Sequence, residues 1–460
     1  MKNNTAFLPG RLAGAGRLIA ILMAAVMILI LLIAEIEGVL GGRGLYNYEL
    51  GCALVNYSAG FVRRGLLGEI IGFMDPVLQP ILSVMLLSFA SLAFILYIIL
   101  RRMTRLGVKV PYILAVIFSP SLILMHRGEE FVRIDAFVFV LNLVPACFLL
   151  ILLSGRNITV FRWLRGRPPL SAMLLTDAVL FLTLTAAALV HEMAAALLPP
   201  VLLLFFVYAW RAHRTMHCVM LCIWLLVLYC AMMSSFKFSD SDLIADSWKG
   251  VFPNPDSYRY NDGLLSTVDK VRALDLRETT RDFLRDYSAV SFARLLVAAV
   301  LPFLVLLLSG IRIFCSSSLR AMAVRCLLLL SCLSPLGLCL AGYDFGRWYS
   351  LCALNLVVYT LLIAHRYSGT GRAGSSPEYD MKIKNAAVQV ILLAAAFVLL
   401  NYRINCFGEF SYNGKSLPAY FSQAAEDSRH LVGDIRPFLS RDKVIEPENH
   451  FDLPPWRKPK

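Results

Sequence analysis

With 58% hydrophobic residues, 16% charged residues and a mean hydropathy of +0.68 over 460 positions, this chain has too little polar surface for a water-soluble fold. Its formal net charge is +13, yet no stretch forms a soluble basic domain, so the charge is not the footprint of nucleic-acid binding. An all-α, polytopic membrane protein remains.

Apolar spans of about 20 residues, each able to cross about 30 Å of hydrocarbon as a helix, are expected near 18–40, 78–100, 110–126, 134–154, 172–191, 193–210, 218–236, 294–310, 326–342, 349–365 and 386–402. This gives about 11 transmembrane helices, an odd number that puts the termini on opposite sides. The first span follows Arg11 and Arg17 but runs into Glu35, Glu37 and Gly41-Gly42 without a small-x-small cleavage site, so it is read as an uncleaved anchor. A transmembrane domain over 1–402, with loops 41–77 and 237–293 outside, precedes an exterior tail over 403–460.

Basic residues set the orientation. Segments 1–17, 101–109, 155–171, 211–217, 311–325 and 366–385 carry 20 Lys and Arg together, against 6 in the short loops opposite. The positive-inside rule puts the N-terminus in the cytoplasm and the C-terminus outside. Most cysteines, such as Cys222, Cys326 and Cys332, fall within apolar spans as small packing residues. Cys52 and Cys406 both fall outside, where a disulfide is chemically allowed.

Each long exterior piece has its own character. Segment 237–293 begins irregularly at Phe252-Pro253-Asn254-Pro255, and Asn261-Asp262 is a plausible N-cap for the helix after it. Leu264, Val268, Val271, Leu274, Leu284 and Tyr287 recur at helical steps beside the row Arg277, Arg281 and Arg285, the pattern of an interfacial helix. The tail holds one expected short helix near 418–432.

Four polar interruptions then arrive at the exterior face. A charge at membrane depth costs about 2.5–3.5 kcal/mol on insertion scales, so their convergence calls for a shared site. The first is Tyr46-Asn47-Tyr48-Glu49 through Gly60-Phe61-Val62-Arg63-Arg64-Gly65. Guanidinium forks match phosphate oxygens, and adjacent glycines admit backbone N–H groups; snorkelling to lipid headgroups is the alternative role for Arg63 and Arg64. The second is the hairpin His126-Arg127-Gly128-Glu129-Glu130-Phe131-Val132-Arg133-Ile134-Asp135, in which Arg133 and Asp135 are the candidates. Asp135 opens a helix, where a carboxylate suits the positive end of the dipole. A solvated turn with internal ion pairs is the other account.

The third, His191-Glu192, divides an apolar run too long for one helix. This pair could coordinate a metal, relay a proton, orient a phosphate or simply satisfy itself. It lacks the second histidine of a zincin helix. The fourth, Gly342-Tyr343-Asp344-Phe345-Gly346-Arg347-Trp348-Tyr349, is a very short turn, with Arg347 at a helix N-terminus that is itself an anion site. Trp348 and Tyr349 also suit an interfacial aromatic belt.

With these landmarks in order, the chain resembles the GT-C superfamily of integral-membrane glycosyltransferases, which use polyprenyl-phosphate sugars. The resemblance covers roughly 18–365 and rests on four features: Glu49 in the first exterior loop, Arg133-Ile134-Asp135-Ala136-Phe137 at the start of the fourth helix, Leu189-Val190-His191-Glu192 through Pro199, and Arg347-Trp348-Tyr349. It departs at His191-Glu192, where many members carry Lys-Gly, and in lacking an obvious acidic dipeptide near the first helix unless Glu35-Ile36-Glu37 serves.

The resemblance implies transfer of a sugar from a polyprenyl-phosphate donor to a lipid, glycan or protein acceptor at the outer face of a bacterial inner (plasma) membrane. Glu49 would then be the general base, with Asp135 as the second catalytic carboxylate. Arg63, Arg64, Arg133, His191, Glu192, Asp344, Arg347 and Trp348 would contact substrate. Asp135 with Glu192 or His191 could hold a divalent cation, although arginines can do the same electrostatic work. The rivals are a transporter or flippase of a lipid-linked saccharide, and an oligosaccharide polymerase or ligase. Membrane lipids are the expected surroundings.

Overall fold

Lipid offers no hydrogen bonds, so a spanning backbone must satisfy its own amides, and helix is the local solution. The structure, a computed structural model, describes residues 55–59, 61, 64–74, 80–123, 134–154, 169–211, 214–234, 289–311, 313, 318–340 and 345–364, two short strands, and scattered positions within 22–33, 243–247, 390–395 and 418–429. The helices are α1 (Gly65–Met74), α2 (Pro80–Arg105), α3 (Val110–Ile117), α4 (Pro120–Ile123), α5 (Asp135–Ser154), α6 (Pro169–Val190), α7 (Ala194–Arg211), α8 (Thr215–Ser234), α9 (Ala289–Leu308), α10 (Leu319–Ser331) and α11 (Phe345–Ile363). A 3-10 turn over Tyr57–Ala59 precedes α1, and a 3-10 segment, Ser334–Leu340, comes after α10.

Among the described residues, six segments are long and apolar enough to cross a membrane: Ser83–Arg105, Asp135–Leu153, Ala194–Arg211, Thr215–Met232, Leu319–Cys339 and Gly346–Ile363. That fits an integral membrane protein, and the described residues do not account for all of the expected eleven. One reason is physical. The span expected over 110–126 is broken at Ser119-Pro120: proline lacks an N–H and pushes the preceding residue out of helical geometry. The resulting α3 has 8 residues, all but the first of them buried, and is far too short to cross lipid by itself. Pro335 stops α10, but the span expected over 326–342 continues through the 3-10 segment, within the crossing stretch Leu319–Cys339. Helices α6 and α9 run for 22 and 20 residues, but their described apolar stretches, Leu174–Val190 and Ala293–Leu308, are shorter. The expected spans 18–40 and 386–402 lie outside the described residues except at isolated positions. So do the Cys52/Cys406 pairing and the interfacial helix of 264–287.

Sequence gives no expectation of a strand after the last span. Tyr402–Ile404 (β1) and Phe410–Tyr412 (β2) nevertheless pair antiparallel, with Arg403 opposite Ser411. The described positions between 418 and 429 are helical, as expected for the tail.

The chain divides into two compact units. One comprises Met1–Leu31, Ala93–Met125 and Leu276–Tyr420; the other comprises Leu32–Leu92, His126–Asp275 and Phe421–Lys460. The first is organised around α11, whose spanning stretch is 83% buried. An all-round apolar helix belongs at a core, and α9, α10, α4 and the 3-10 segment pack on it. Two of its polar residues are satisfied by carbonyls: Ser350 Oγ donates to the Gly346 carbonyl at 2.8 Å and Asn355 Nδ2 to the Cys332 carbonyl at 3.4 Å. At its C-terminal end Arg102 donates from Nε to the Leu361 carbonyl (3.0 Å) and from Nη2 to the Leu362 carbonyl (2.8 Å). A guanidinium there meets both the orphan carbonyls and the negative end of the helix dipole.

The second unit packs α5 on α6 and α7, α8 on α6 and α7, and α1 on α6. Contacts between α6 and α8 repeat along their length. His217 Nδ1 lies 2.6 Å from Asp177 Oδ2, Phe181 stacks on Trp224 with centroids 4.9 Å apart, and Trp224 Nε1 donates to Thr185 Oγ1 at 2.9 Å. Ala188, Leu228 and Met232 close the row. Opposite that row α8 exposes Met216, Val219, Met220, Ile223, Leu226 and Val227. Such a continuous apolar face is an aggregation site in water and an ordinary surface in lipid.

Candidate functional site

Arg64 stands immediately before α1, in left-handed backbone geometry with φ of +64°. For a residue with a Cβ that geometry costs on the order of 1–3 kcal/mol and persists only when its surroundings impose it. Here the surroundings are specific. Arg64 Nε donates to Glu192 Oε2 at 2.7 Å, and Nη2 donates to Glu192 Oε1, a bidentate fork. The Arg64 side chain is 7% exposed and that of Glu192 24%.

The backbone before α1 is held as tightly. The Tyr57 N–H donates to Glu69 Oε1 at 2.8 Å, and the Tyr57 ring stacks on Phe61 at 6.1 Å between centroids. That ring occupies the space a side chain at Gly65 would need: an ideal Cβ there would stand 2.2 Å from Tyr57 Cε1. Burial, and then the charge of Glu69, raise the Tyr57 phenol above its ordinary value of 10.0. Asn56 Nδ2 donates to Ser247 Oγ at 2.8 Å, which ties the segment before α1 to a residue of the long segment 237–293. Gly65→Ala is expected to push Tyr57 aside and lower the thermal midpoint, at the cost of about 1–3 kcal/mol typical of overpacking. The double variant Tyr57→Ala/Gly65→Ala should lose less stability than the two single losses summed; strict additivity would show that the two residues do not collide.

His191 and Glu192 occupy the turn between α6 and α7. The His191 N–H continues the helix to the Ala187 carbonyl at 3.1 Å, and the His191 carbonyl accepts from Ala194 N–H at 3.0 Å. Ring atom Nδ1 accepts from Met193 N–H at 3.0 Å. An accepting Nδ1 carries no proton, so the ring is neutral with hydrogen on Nε2. The 3.6 Å approach of Nδ1 to Glu192 Oε2 is therefore not an ion pair. Asp135 opens α5, as expected, and is 1% exposed. Because only 191–193 join α6 to α7, these two helices form a hairpin. Since α5 packs on both, a path that alternates direction at each crossing puts Asp135 at the same end as His191 and Glu192.

Arg347 and Trp348 belong to the other compact unit, in the first turn of α11. The Arg347 guanidinium lies 4.9 Å from the centre of the Trp348 ring, a cation–π contact. Trp348 is 8% exposed, and its Nε1 has no hydrogen-bond partner among the described residues. Trp348 is thus a buried platform for Arg347 and not a solvent-facing belt residue.

Of the expected site residues, the structure joins Arg64 to Glu192 with His191 beside them, and buries Asp135 in the same unit. Glu49, Arg63, Arg133 and Asp344 lie outside the described residues. No three His, Cys, Asp or Glu side chains gather to hold a metal ion among the described residues. Glu192 is engaged by Arg64, and His191 Nδ1 by a backbone N–H. Sequence alone presents Arg64 and Glu192 as separate contacts to substrate and gives no sign that they satisfy each other. It also passes over Tyr229 of α8, whose hydroxyl is buried without a hydrogen bond among the described residues and which packs beside Leu189 on the Ala188, Leu228 and Met232 cluster. The signal available is a single tyrosine near the end of an apolar span. Comparison with known protein families, curated proteins and solved structures gives no match.

Proposed function

We propose that this chain is a membrane glycosyltransferase of the GT-C kind, moving a sugar from a polyprenyl phosphate to an acceptor hydroxyl at the outer face of the membrane. The observation that carries the reading is the Arg64 fork, held in strained geometry against a carboxylate at one end of a packed apolar bundle. A carboxylate and a phosphate present the same pair of oxygens to a guanidinium. A site that holds one is shaped to take the other. In the proposed reaction Glu49 takes the proton of the acceptor hydroxyl as its oxygen bonds to the anomeric carbon. The anomeric carbon–oxygen bond to phosphate breaks, and the lipid phosphate leaves with that electron pair. Arg63, Arg64 and Arg347 stabilise the charge gathering on it. Asp135, Arg133, His191, Asp344 and Trp348 orient the two substrates. No step requires a metal ion, and the arginines carry the charge stabilisation.

The deciding experiment supplies purified protein with a polyprenyl-phosphate hexose and a mixture of membrane lipids and glycans, and measures release of free polyprenyl phosphate. Release coupled to a new glycoconjugate supports transfer. Movement of the intact donor between leaflets, without cleavage, supports the transporter. One observation favours that rival: the Asp177–His217 pair supplies a polar contact at the other end of α6 and α8, where a translocation path would need one.

Orientation is tested independently. Because basic residues in alternate segments number 20 against 6 in the short loops opposite, a reporter fused at position 160 should read cytoplasmic and one at 260 exterior. Both reading the same side would separate the polar segments and remove the shared site.

A further inference from the structure

Tyr229 is a costly residue as it stands. A buried hydroxyl without a partner forfeits the hydrogen bonds it makes to water. Tyr229 packs with Leu189 against the Ala188, Leu228 and Met232 cluster, and Leu189 stands one helical turn before Glu192 in the chain. The Tyr229 Oη makes no hydrogen bond among the described residues, and the carboxylate one turn beyond Leu189, past the end of α6, is Glu192. That carboxylate is the one occupying the fork of Arg64.

Resting on the glycosyltransferase reading, we propose that Tyr229 is a positioning residue for Glu192: when a lipid phosphate takes the Arg64 fork, the displaced Glu192 carboxylate swings to accept a hydrogen bond from the Tyr229 hydroxyl. The exchange answers two difficulties at once. Without phosphate, Glu192 neutralises a guanidinium that is costly to leave unpaired at this depth. With phosphate bound, a released carboxylate would face a second anion, and a waiting O–H donor converts that penalty into a charge-assisted bond. The unsatisfied hydroxyl of the resting structure is then the empty half of a two-position device. The strained Arg64 backbone fits the same description, since it is held in place by the fork that phosphate would inherit.

The test uses the full-length chain in lipid nanodiscs with undecaprenyl phosphate as the probe. Tyr229→Phe removes one oxygen. It should leave the resting thermal midpoint unchanged or slightly raised, and weaken undecaprenyl phosphate binding about tenfold. In a Glu192→Gln background the same change should alter affinity by less than about twofold, because the carboxylate it serves is gone. Infrared difference spectra on adding the phosphate read the exchange without that second variant. At saturating phosphate the carboxylate band should shift in both proteins and end at a different position in Tyr229→Phe, where the displaced carboxylate lacks the tyrosine donor; the same end position in both would overturn the exchange. If the wild type binds undecaprenyl phosphate and Tyr229→Phe binds it equally well, the exchange is wrong and the donor reading stands. Equal loss of affinity in both backgrounds, with a lowered midpoint, would reduce Tyr229 to packing and also overturn it. If the wild type fails to bind undecaprenyl phosphate, the donor reading falls and the exchange falls with it.

Discussion

Glu49→Gln is expected to cut sugar transfer by about 10²-fold or more while leaving donor binding intact, because the amide keeps the size and hydrogen bonding of the carboxylate but cannot take a proton. The expectation rests on the position of Glu49 in the first exterior loop. The residues just beyond it in the chain strengthen it: Val55 is buried, Asn56 is bonded to Ser247, and Tyr57 is fixed by Glu69. In the chain, Glu49 therefore lies a few residues before an anchored stretch, Val55 to Tyr57. Glu35→Gln, Glu37→Gln and Asp75→Asn are the controls. If Glu49→Gln turns over normally and Glu37→Gln is dead, the base is Glu37 and the reaction class survives. If none of the four carboxylates affects transfer, the transporter becomes the better reading.

Arg64→Ala is the second variant with a large effect, and the structure changes what it should do. The sequence alone predicts loss of donor affinity with the fold untouched, by the roughly 1.5–3 kcal/mol of a charge-assisted contact, or more than tenfold. Pairing with Glu192 adds a stability penalty, because removing one member of a buried ion pair strands the other. Fully buried pairs lose about 3–5 kcal/mol in that way. Glu192 is 24% exposed in its side chain, so water recovers part of this and the loss should fall below that range. The double variant Arg64→Ala/Glu192→Gln should recover most of the thermal midpoint and none of the donor affinity. Arg347→Ala is the contrast. It gives up a cation–π contact worth about 0.5–1 kcal/mol, so it should weaken donor binding with little change in midpoint. If Arg64→Ala lowers the midpoint and the double variant does not restore it, the fork is not what stabilises this region. If both arginine variants bind donor normally, the guanidinium groups serve lipid headgroups instead.

The features that the sequence determined by itself arise from interactions within a segment. Apolar length was enough to locate α2, α5, α7, α8 and α11 within a few residues, since a helix in lipid satisfies its own backbone. The start of α5 at Asp135 and the polar turn at His191-Glu192 were legible for the same reason: each is a local break in an apolar run. One failure was local as well. Ser119-Pro120 carried the signal that breaks its span, and hydropathy averaged over it.

Tertiary structure decided the rest. Arg64 and Glu192 are far apart in the chain, and nothing at either position announces the other; their fork exists because α1 packs on α6 close to the turn that carries Glu192. The same holds for Arg102 closing the C-terminus of α11, for Asp177 meeting His217, and for Tyr57 filling the space above Gly65. Most consequential is the state of the charges. A sequence shows that a guanidinium and a carboxylate are present at membrane depth and costly there. Only the folded chain, by bringing them within hydrogen-bonding distance at low exposure, settles that they offset one another, so that any anion drawn to Arg64 would have to displace Glu192.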